Sequence, residues 1–370
     1  MYKKFLCSIL FLIFFSINFQ QSYAYDFKKD YFEKINLKVD VTNTTPIKLN
    51  DNELFFPGNY FDPHAKILNI KEKKLIDKKV SMNIPRNGYL SVLLDDGTVL
   101  IVGGTIDGKA TNIAEIYNPQ TNTFIKINNS NFNYYSFDNI VKLKDGRVLL
   151  LGICTAEIYN PKRKIFTLAG NKKRINNATN QEICYTNDRH VSPCIFLLDD
   201  GRVLIYDATF DDAKKNNRIE LFDPQINDFI TVDYPNKKTI HYNMFRLYYT
   251  GVKLKDGNIL TFGSYNQRSF MTMFLPKTNE FKKIVAIDEV PVNSKAIFIN
   301  NKVLLFGGIL PHSKKPTYLV SAIYDIDKRK IINKKTSSTE KYIKFIFDIG
   351  EHSLILLGYQ DNSPRIYKIK

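Results

Sequence analysis

The sequence has no tryptophan, five histidines and four cysteines in 370 residues. Each scarcity excludes something. His64, His190, His241, His312 and His352 are scattered without the paired spacing of a metal site. There is no Cys-x-x-Cys pair, no glycine-rich phosphate loop after a strand and no nucleophile elbow. The residues therefore assign no metal, no cofactor and no recognisable catalytic set. Long apolar runs are missing too, with one exception at the start of the chain.

That exception reads as an export signal. Lys3 and Lys4 precede an apolar run from Phe5 to Phe19, followed by Gln20, Gln21 and the small-residue pattern Ser22-Tyr23-Ala24. This three-part order is that of a secretory signal peptide, and the run is short for a membrane span. Cleavage after Ala24 is expected, leaving residues 25–370 outside the cytoplasm, in a periplasm or the extracellular space, with no stable membrane span. Cys7 lies inside the apolar run, too early to be a lipidation site at a cleavage boundary.

What the chain has in quantity is phenylalanine (27), tyrosine (22) and positive charge. The aromatics suit half-buried strands. Lysine and arginine number 53 against 37 acidic residues, a formal charge of +16, or +14 once Lys3 and Lys4 are removed. Such a chain is drawn to anionic surfaces. Export argues against nucleic acid as the partner. The lysines are also scattered rather than clustered, as on an ordinary solvated surface.

One phrase recurs along the chain. Leu93-Leu94-Asp95-Asp96-Gly97-Thr98-Val99-Leu100 runs on to Gly103-Gly104, then Ala114-Glu115-Ile116-Tyr117-Asn118-Pro119, then Phe124. The next copy has Asp145-Gly146, Ala156-Glu157-Ile158-Tyr159-Asn160-Pro161 and Phe166. Asp200-Gly201, Phe222-Asp223-Pro224 and Phe229 form another, and Asp256-Gly257, Phe274-Leu275-Pro276 and Phe281 a fourth. Three weaker copies turn at Asp51, Asn300 and Glu351, so the seven turns lie 44 to 56 residues apart. In each unit an apolar stretch meets an Asp-Gly-type turn that tolerates positive φ, and a second apolar stretch follows. A short third strand ends in a proline turn, and a fourth begins at Phe. Each unit is thus a four-stranded antiparallel sheet. Seven such sheets, none able to bury both faces alone, make a radial all-β propeller.

The pattern resembles the kelch repeat: a glycine pair ending strand two, a tyrosine in strand three, an aromatic opening strand four. The pair is complete at Gly103-Gly104 and Gly307-Gly308, reduced to one residue at Gly58, Gly152, Gly263 and Gly358, and replaced at Asp207. Phe stands throughout where the kelch repeat has Trp. The resemblance implies a seven-bladed propeller of the kelch type, in the galactose-oxidase-like superfamily. That group includes a copper radical oxidase with a Cys–Tyr crosslink and two histidine ligands, but those positions cannot be matched here and the activity is not carried over. A second relative is an exported sialic-acid mutarotase, whose acid–base residues cannot be placed in this chain either.

The step from the strand-three aromatic to the strand-four Phe is seven residues in four units, for example Tyr117 to Phe124. In the last unit the strand-three tyrosine is Tyr367, three residues from Lys370. Its fourth strand is expected from residues 25–38, with Phe32 in the part that Phe124 plays elsewhere, so that the N-terminal strand completes the last blade and removes a free edge.

Function on such a scaffold is expected on the face that carries the long loops, the largest being 170–188, 207–217 and 233–244. Counting back ten residues from the turns places Arg86, Tyr135, His190 and Arg246 at one mouth of the central channel, with Arg189 and Tyr242 beside them. Guanidinium groups there would suit a carboxylate or phosphate, and tyrosines could stack on a sugar ring. The alternative is that these residues merely line a water-filled channel. Among the cysteines, Cys154 and Cys184 fall on the same loop face and could form a disulfide. Cys184–Cys194 is the rival pairing, and Cys194 otherwise reads as a buried thiol. The leading functional expectation is an exported, monomeric, non-catalytic binding or scaffold module for a protein or an acidic glycan. The alternative is a sugar-modifying enzyme, a mutarotase or epimerase of acidic sugars.

Overall fold

The computed structural model describes residues 31–135, 138–152, 155–170, 175–176, 181–182, 194–206, 219–232, 250–265, 268–286, 294–310, 318–338, 343–358 and 361–369. Among these every regular element is a strand, and the strands form seven four-stranded antiparallel sheets and two small hairpins. Blade 1 consists of Ile47–Asn50, Glu53–Phe56, His64–Asn69 and Lys74–Ser81. Blade 2 consists of Leu90–Leu93, Val99–Val102, Ala114–Asn118 and Thr123–Lys126. The innermost strands of blades 3 to 7 begin at Asn139, Cys194, Thr250, Lys295 and Phe345. Successive innermost strands adjoin one another, which arranges the sheets around a central axis.

Burial explains why the sequence alternates as it does. The second strand of each blade is sandwiched on both faces, and Val99–Val102, Val148–Leu151 and Val203–Tyr206 are buried along their whole length. Among the described residues apolar clusters fill the spaces between the sheets; one packs Phe55 and Ile67 of blade 1 against Val99, Ile101 and Tyr117 of blade 2. The fourth strands lie at the rim and are half exposed. The kelch-like aromatics meet as the seven-residue step requires: Tyr117 pairs with Phe124, Tyr159 with Phe166, Phe222 with Phe229 and Phe274 with Phe281.

Polar ties also cross between blades on the turn face. Lys142 of blade 3 pairs with Asp95 of blade 2 at 2.6 Å, and Lys253 of blade 5 with Asp199 of blade 4 at 2.9 Å. Lys48 of blade 1 donates to the carbonyl of Asp348 in blade 7. Further out, Arg147 donates to the carbonyl of Pro224 in blade 4, and Arg202 to that of Pro276 in blade 5.

The seventh sheet contains both ends of the described chain. Its order places Tyr31–Lys34 outside Arg365–Lys368, then Ser353–Leu357 and Phe345–Asp348. Phe32 stands opposite Tyr367. Beyond this strand, Ile35, Val39 and Val41 bury themselves among Leu54, Phe56, Ile355 and Ile366, which joins blade 7 to blade 1. Lys344 donates to the carbonyls of Val41 and Thr42 at 2.7 and 2.8 Å.

Candidate functional site

The residue expected to lead an anion site, Arg86, does something else. Its side chain is 0 % exposed. Nη1 lies 2.7 Å from Oε1 of Glu115, and Nε donates to the carbonyl of Gly103 at 2.6 Å. The remaining N–H groups are taken by the carbonyls of Ile84, Ile101 and Ile113. Glu115, on the third strand, also accepts from the backbone and side chain of Asn83 at 2.7 Å and from the backbone of Ile84. A guanidinium so fully committed has no donor left for a ligand. This corrects the expectation that Arg86 faces the channel mouth: it clamps the segment leading into blade 2 onto that blade's third strand.

Blade 3 repeats the clamp with different chemistry. Glu157 occupies the place of Glu115 and accepts from the backbone and side chain of Asn131 and from the backbone of Phe132. The place of Arg86 is taken by Tyr134, whose hydroxyl donates to Glu157 at 2.9 Å. Burial and the neighbouring carboxylate hold this phenol well above its usual pKa. Tyr134, then, is the counterpart of Arg86, and the residue expected there, Tyr135, is one position off. Gly103 adopts φ +72°, and a Cβ on it would come within 2.7 Å of Tyr134, so the first glycine of the pair is needed for this packing.

Tyr135 is half-buried on the loop face, and its backbone N–H donates to Asp138 at 2.7 Å. Burial pushes the Asp138 carboxyl up to about 6, against the lowering effect of that hydrogen bond. In blade 4 the counterpart of Glu115 and Glu157, Glu220, is pushed up to about 7 by desolvation. These glutamates carry a signal in the sequence: a lone acidic residue inside an otherwise apolar third strand, as in Ala114-Glu115-Ile116-Tyr117.

The innermost strands present half-exposed apolar side chains, including Ile140, Phe196, Ile297, Phe298 and Phe347. At the loop end of this wall, Lys295 opens the innermost strand of blade 6, and surrounding atoms depress its pKa through desolvation. Cys194 opens that of blade 4, and burial pushes its thiol up to about 11. Arg189, His190, Tyr242, Arg246, Cys154 and Cys184 lie outside the described residues, as does most of the three longest loops. Among the described residues no group of three or more His, Cys, Asp or Glu side chains could hold a metal ion, and no helix is long and apolar enough to cross a membrane.

A second concavity lies at the junction of blades 7 and 1. Lys38, Val39, Asp40 and Thr44 form one wall; Phe56, Gly58, Asn59, Asp62, His64, Lys66 and Leu75 form the other. The Tyr89 hydroxyl ties the walls together, 2.6 Å from the Thr44 hydroxyl and donating to the Gly58 carbonyl at 2.6 Å.

Comparison with known proteins follows the same lines. The Kelch motif family model matches residues 86–131, the stretch that begins at the Arg86 clamp and contains the glycine pair and Tyr117. No curated protein matches the sequence. Among solved structures the chain is similar to a fungal alcohol oxidase of the AA5 family in complex with copper, with a TM-score of 0.65 and 10% identity over 92% of this chain and 76% of that one. At that identity the likeness concerns the fold. With the motif at residues 86–131, the seven-residue aromatic step and seven radial sheets in place, the chain is a seven-bladed β-propeller that carries a Kelch motif.

Proposed function

We propose that this protein is an exported binding module whose ligand, a protein or an acidic glycan, docks on the loop face of the propeller. The observation that carries this reading is the use made of the charged groups inside blades 2 and 3. Arg86, Glu115 and Glu157 are spent on fixing the scaffold, and on a rigid scaffold binding residues tend to lie in the connecting loops. The excess of basic residues favours an anionic partner. Export after cleavage at Ala24 is part of the proposal, and amino-terminal sequencing of the protein recovered from a fractionated culture tests it. A glycan array probed with residues 25–370 tests the ligand. Retention of acidic glycans over their neutral parents supports the glycan form. Retention of none sends the search to protein partners.

One observation favours the alternative, an acidic-sugar mutarotase. The Asp138 carboxyl, pushed up to about 6 on the loop face, is suited to proton transfer near neutral pH. Exchange spectroscopy on the anomers of a sialic acid separates the readings: accelerated anomer exchange that is lost in Asp138→Asn supports the enzyme, and exchange at the uncatalysed rate supports the binding module.

A further inference from the structure

We propose that the cleft between blades 7 and 1 is a saccharide site that takes an uncharged pyranose ring, with Phe61 and Tyr60 as its stacking platform. This site is built from the connections 35–46 and 57–63 on the loop side of blade 1, and uses residues to which the channel-mouth reading gives no role.

Two large aromatic side chains stand in solvent beside the cleft. Phe61 is 75% exposed and Tyr60 49% exposed, their rings edge to face with centroids 5.5 Å apart. They occupy the two positions between Asn59 and Asp62, which both line the cleft. Exposing such rings has a cost unless something covers them in use. The turn that presents them is fixed. The buried Asn59 accepts from the backbone N–H groups of Phe61 and Asp62 at 2.8 and 2.9 Å, and Asn59 N donates to the Asp62 carbonyl at 2.9 Å. The backbone N–H of Tyr60 donates to Asn87 of the blade 2 lead-in at 3.0 Å. Gly58 is packed so closely that a Cβ there would lie 2.4 Å from the Pro63 carbonyl oxygen. The rings are held out before any ligand arrives, which lowers the entropic cost of binding.

The cleft beside them encloses about 50 Å³, room for hydroxyl groups and not for a whole ring, so the ring would lie on the aromatic pair with its hydroxyls reaching in. Its charges cancel. Lys38 and Lys66 face Asp40 and Asp62, with Lys66 paired to Asp62 and His64 held by Asp77 at 3.1 Å. Such a wall offers donors and acceptors to hydroxyl groups without selecting a net charge. An anionic ligand would meet two carboxylates. A purely apolar one would leave the ammonium and carboxylate groups desolvated and unpaired. A pyranose satisfies both halves: its C–H face meets the electron-rich aromatic face, and its hydroxyls meet the charged wall. The cleft also bridges the two ends of the ring, so occupancy should stabilise closure.

The test is calorimetric titration of residues 25–370 with lactose, maltose and N,N′-diacetylchitobiose, each to about 10 mM, a weak-affinity range for single-ring contacts. At least one should bind, and Phe61→Ala should weaken it about tenfold or more while leaving the melting temperature of the free protein unchanged, because the ring is exposed. The bound sugar should raise the melting temperature of the parent and not of the variant. Absence of binding by all three, or equal affinity in Phe61→Ala, overturns the site. Sialyllactose binding more than about tenfold tighter than lactose in a Phe61-dependent manner overturns its neutrality. Tight sialyllactose binding unaffected by Phe61→Ala, with no disaccharide bound, locates the ligand elsewhere on the loop face and overturns the cleft alone.

Discussion

Arg86 and Glu115 face each other at 2.7 Å with neither side chain reaching solvent. Removing the cation alone leaves a buried carboxylate held only by Asn83 and Ile84. Arg86→Ala should therefore cost about 3–5 kcal/mol in urea unfolding. The double variant Arg86→Met, Glu115→Leu should recover much of that loss, since it removes both charges from the interior. A loss in Arg86→Ala below about 1 kcal/mol would return Arg86 to the list of ligand residues.

Tyr117 and Tyr159 occupy the same place in blades 2 and 3 but not the same surroundings. The Tyr117 hydroxyl donates to Asn122 at 3.0 Å, whereas the buried Tyr159 hydroxyl has no partner among the described residues. Lys164 stands where Asn122 stands, and both adopt positive φ, +54° and +55°. Asparagine tolerates that conformation better than lysine. Lys164→Asn should thus stabilise the fold by about 1 kcal/mol, from a satisfied hydroxyl and relieved backbone. Thermal unfolding beside a Lys164→Ala control separates this from mere loss of a lysine.

Phe32 and Tyr367 lie with ring centroids 5.0 Å apart, and Phe32 also meets Phe306 of blade 6 edge to face. Truncating Phe32 to Ala should cost about 2 kcal/mol. Deleting residues 25–38 should cost more and lower the melting of the whole ring in one transition, because Ile35 leaves the blade 7–blade 1 core with it. Unchanged melting of the deletion would refute a closing role for this segment.

Glu220 gives the fold a pH dependence whose sign follows from its environment. Its carboxyl is pushed up to about 7 in the folded state, from 4.5 in an unfolded one. Below pH 4.5 both states carry the proton and the fold keeps its full stability. As pH rises toward 7 the unfolded chain ionises first, so stability falls, by a few kcal/mol in total. Glu220→Gln should flatten the urea midpoint between about pH 4.5 and 7. A parental slope surviving in the variant would assign the effect to another group, Asp138 first.

Much of the architecture could be read from the chain because a repeat states its rule several times. The step from Tyr117 to Phe124 recurs from Tyr159, Phe222 and Phe274, and an interval that recurs fixes strand spacing whatever the residues between. The site was less legible. Counting a fixed ten residues from each turn finds Arg86 but lands on Tyr135 instead of Tyr134, because the run from Asn131 to Asp145 is one residue longer than that from Asn83 to Asp96. Nor does the linear pattern distinguish an arginine at a channel mouth from one folded back onto its own blade. The Tyr60–Phe61 platform had no repeated counterpart and so gave no signal at all.

By itself, then, the sequence determined the number of sheets, their strand order and the aromatic pairs within them, since these follow from local alternation, turn chemistry and a fixed period. Only the tertiary structure decided what the polar residues do. Whether Arg86 is a ligand group or an internal clamp depends on whether Glu115 lies within reach and water does not, and burial is a property of the assembled ring. The same holds for the cleft at the closure seam, whose walls, Lys38 to Thr44 and Phe56 to Lys66, face each other because the ring returns to its starting point.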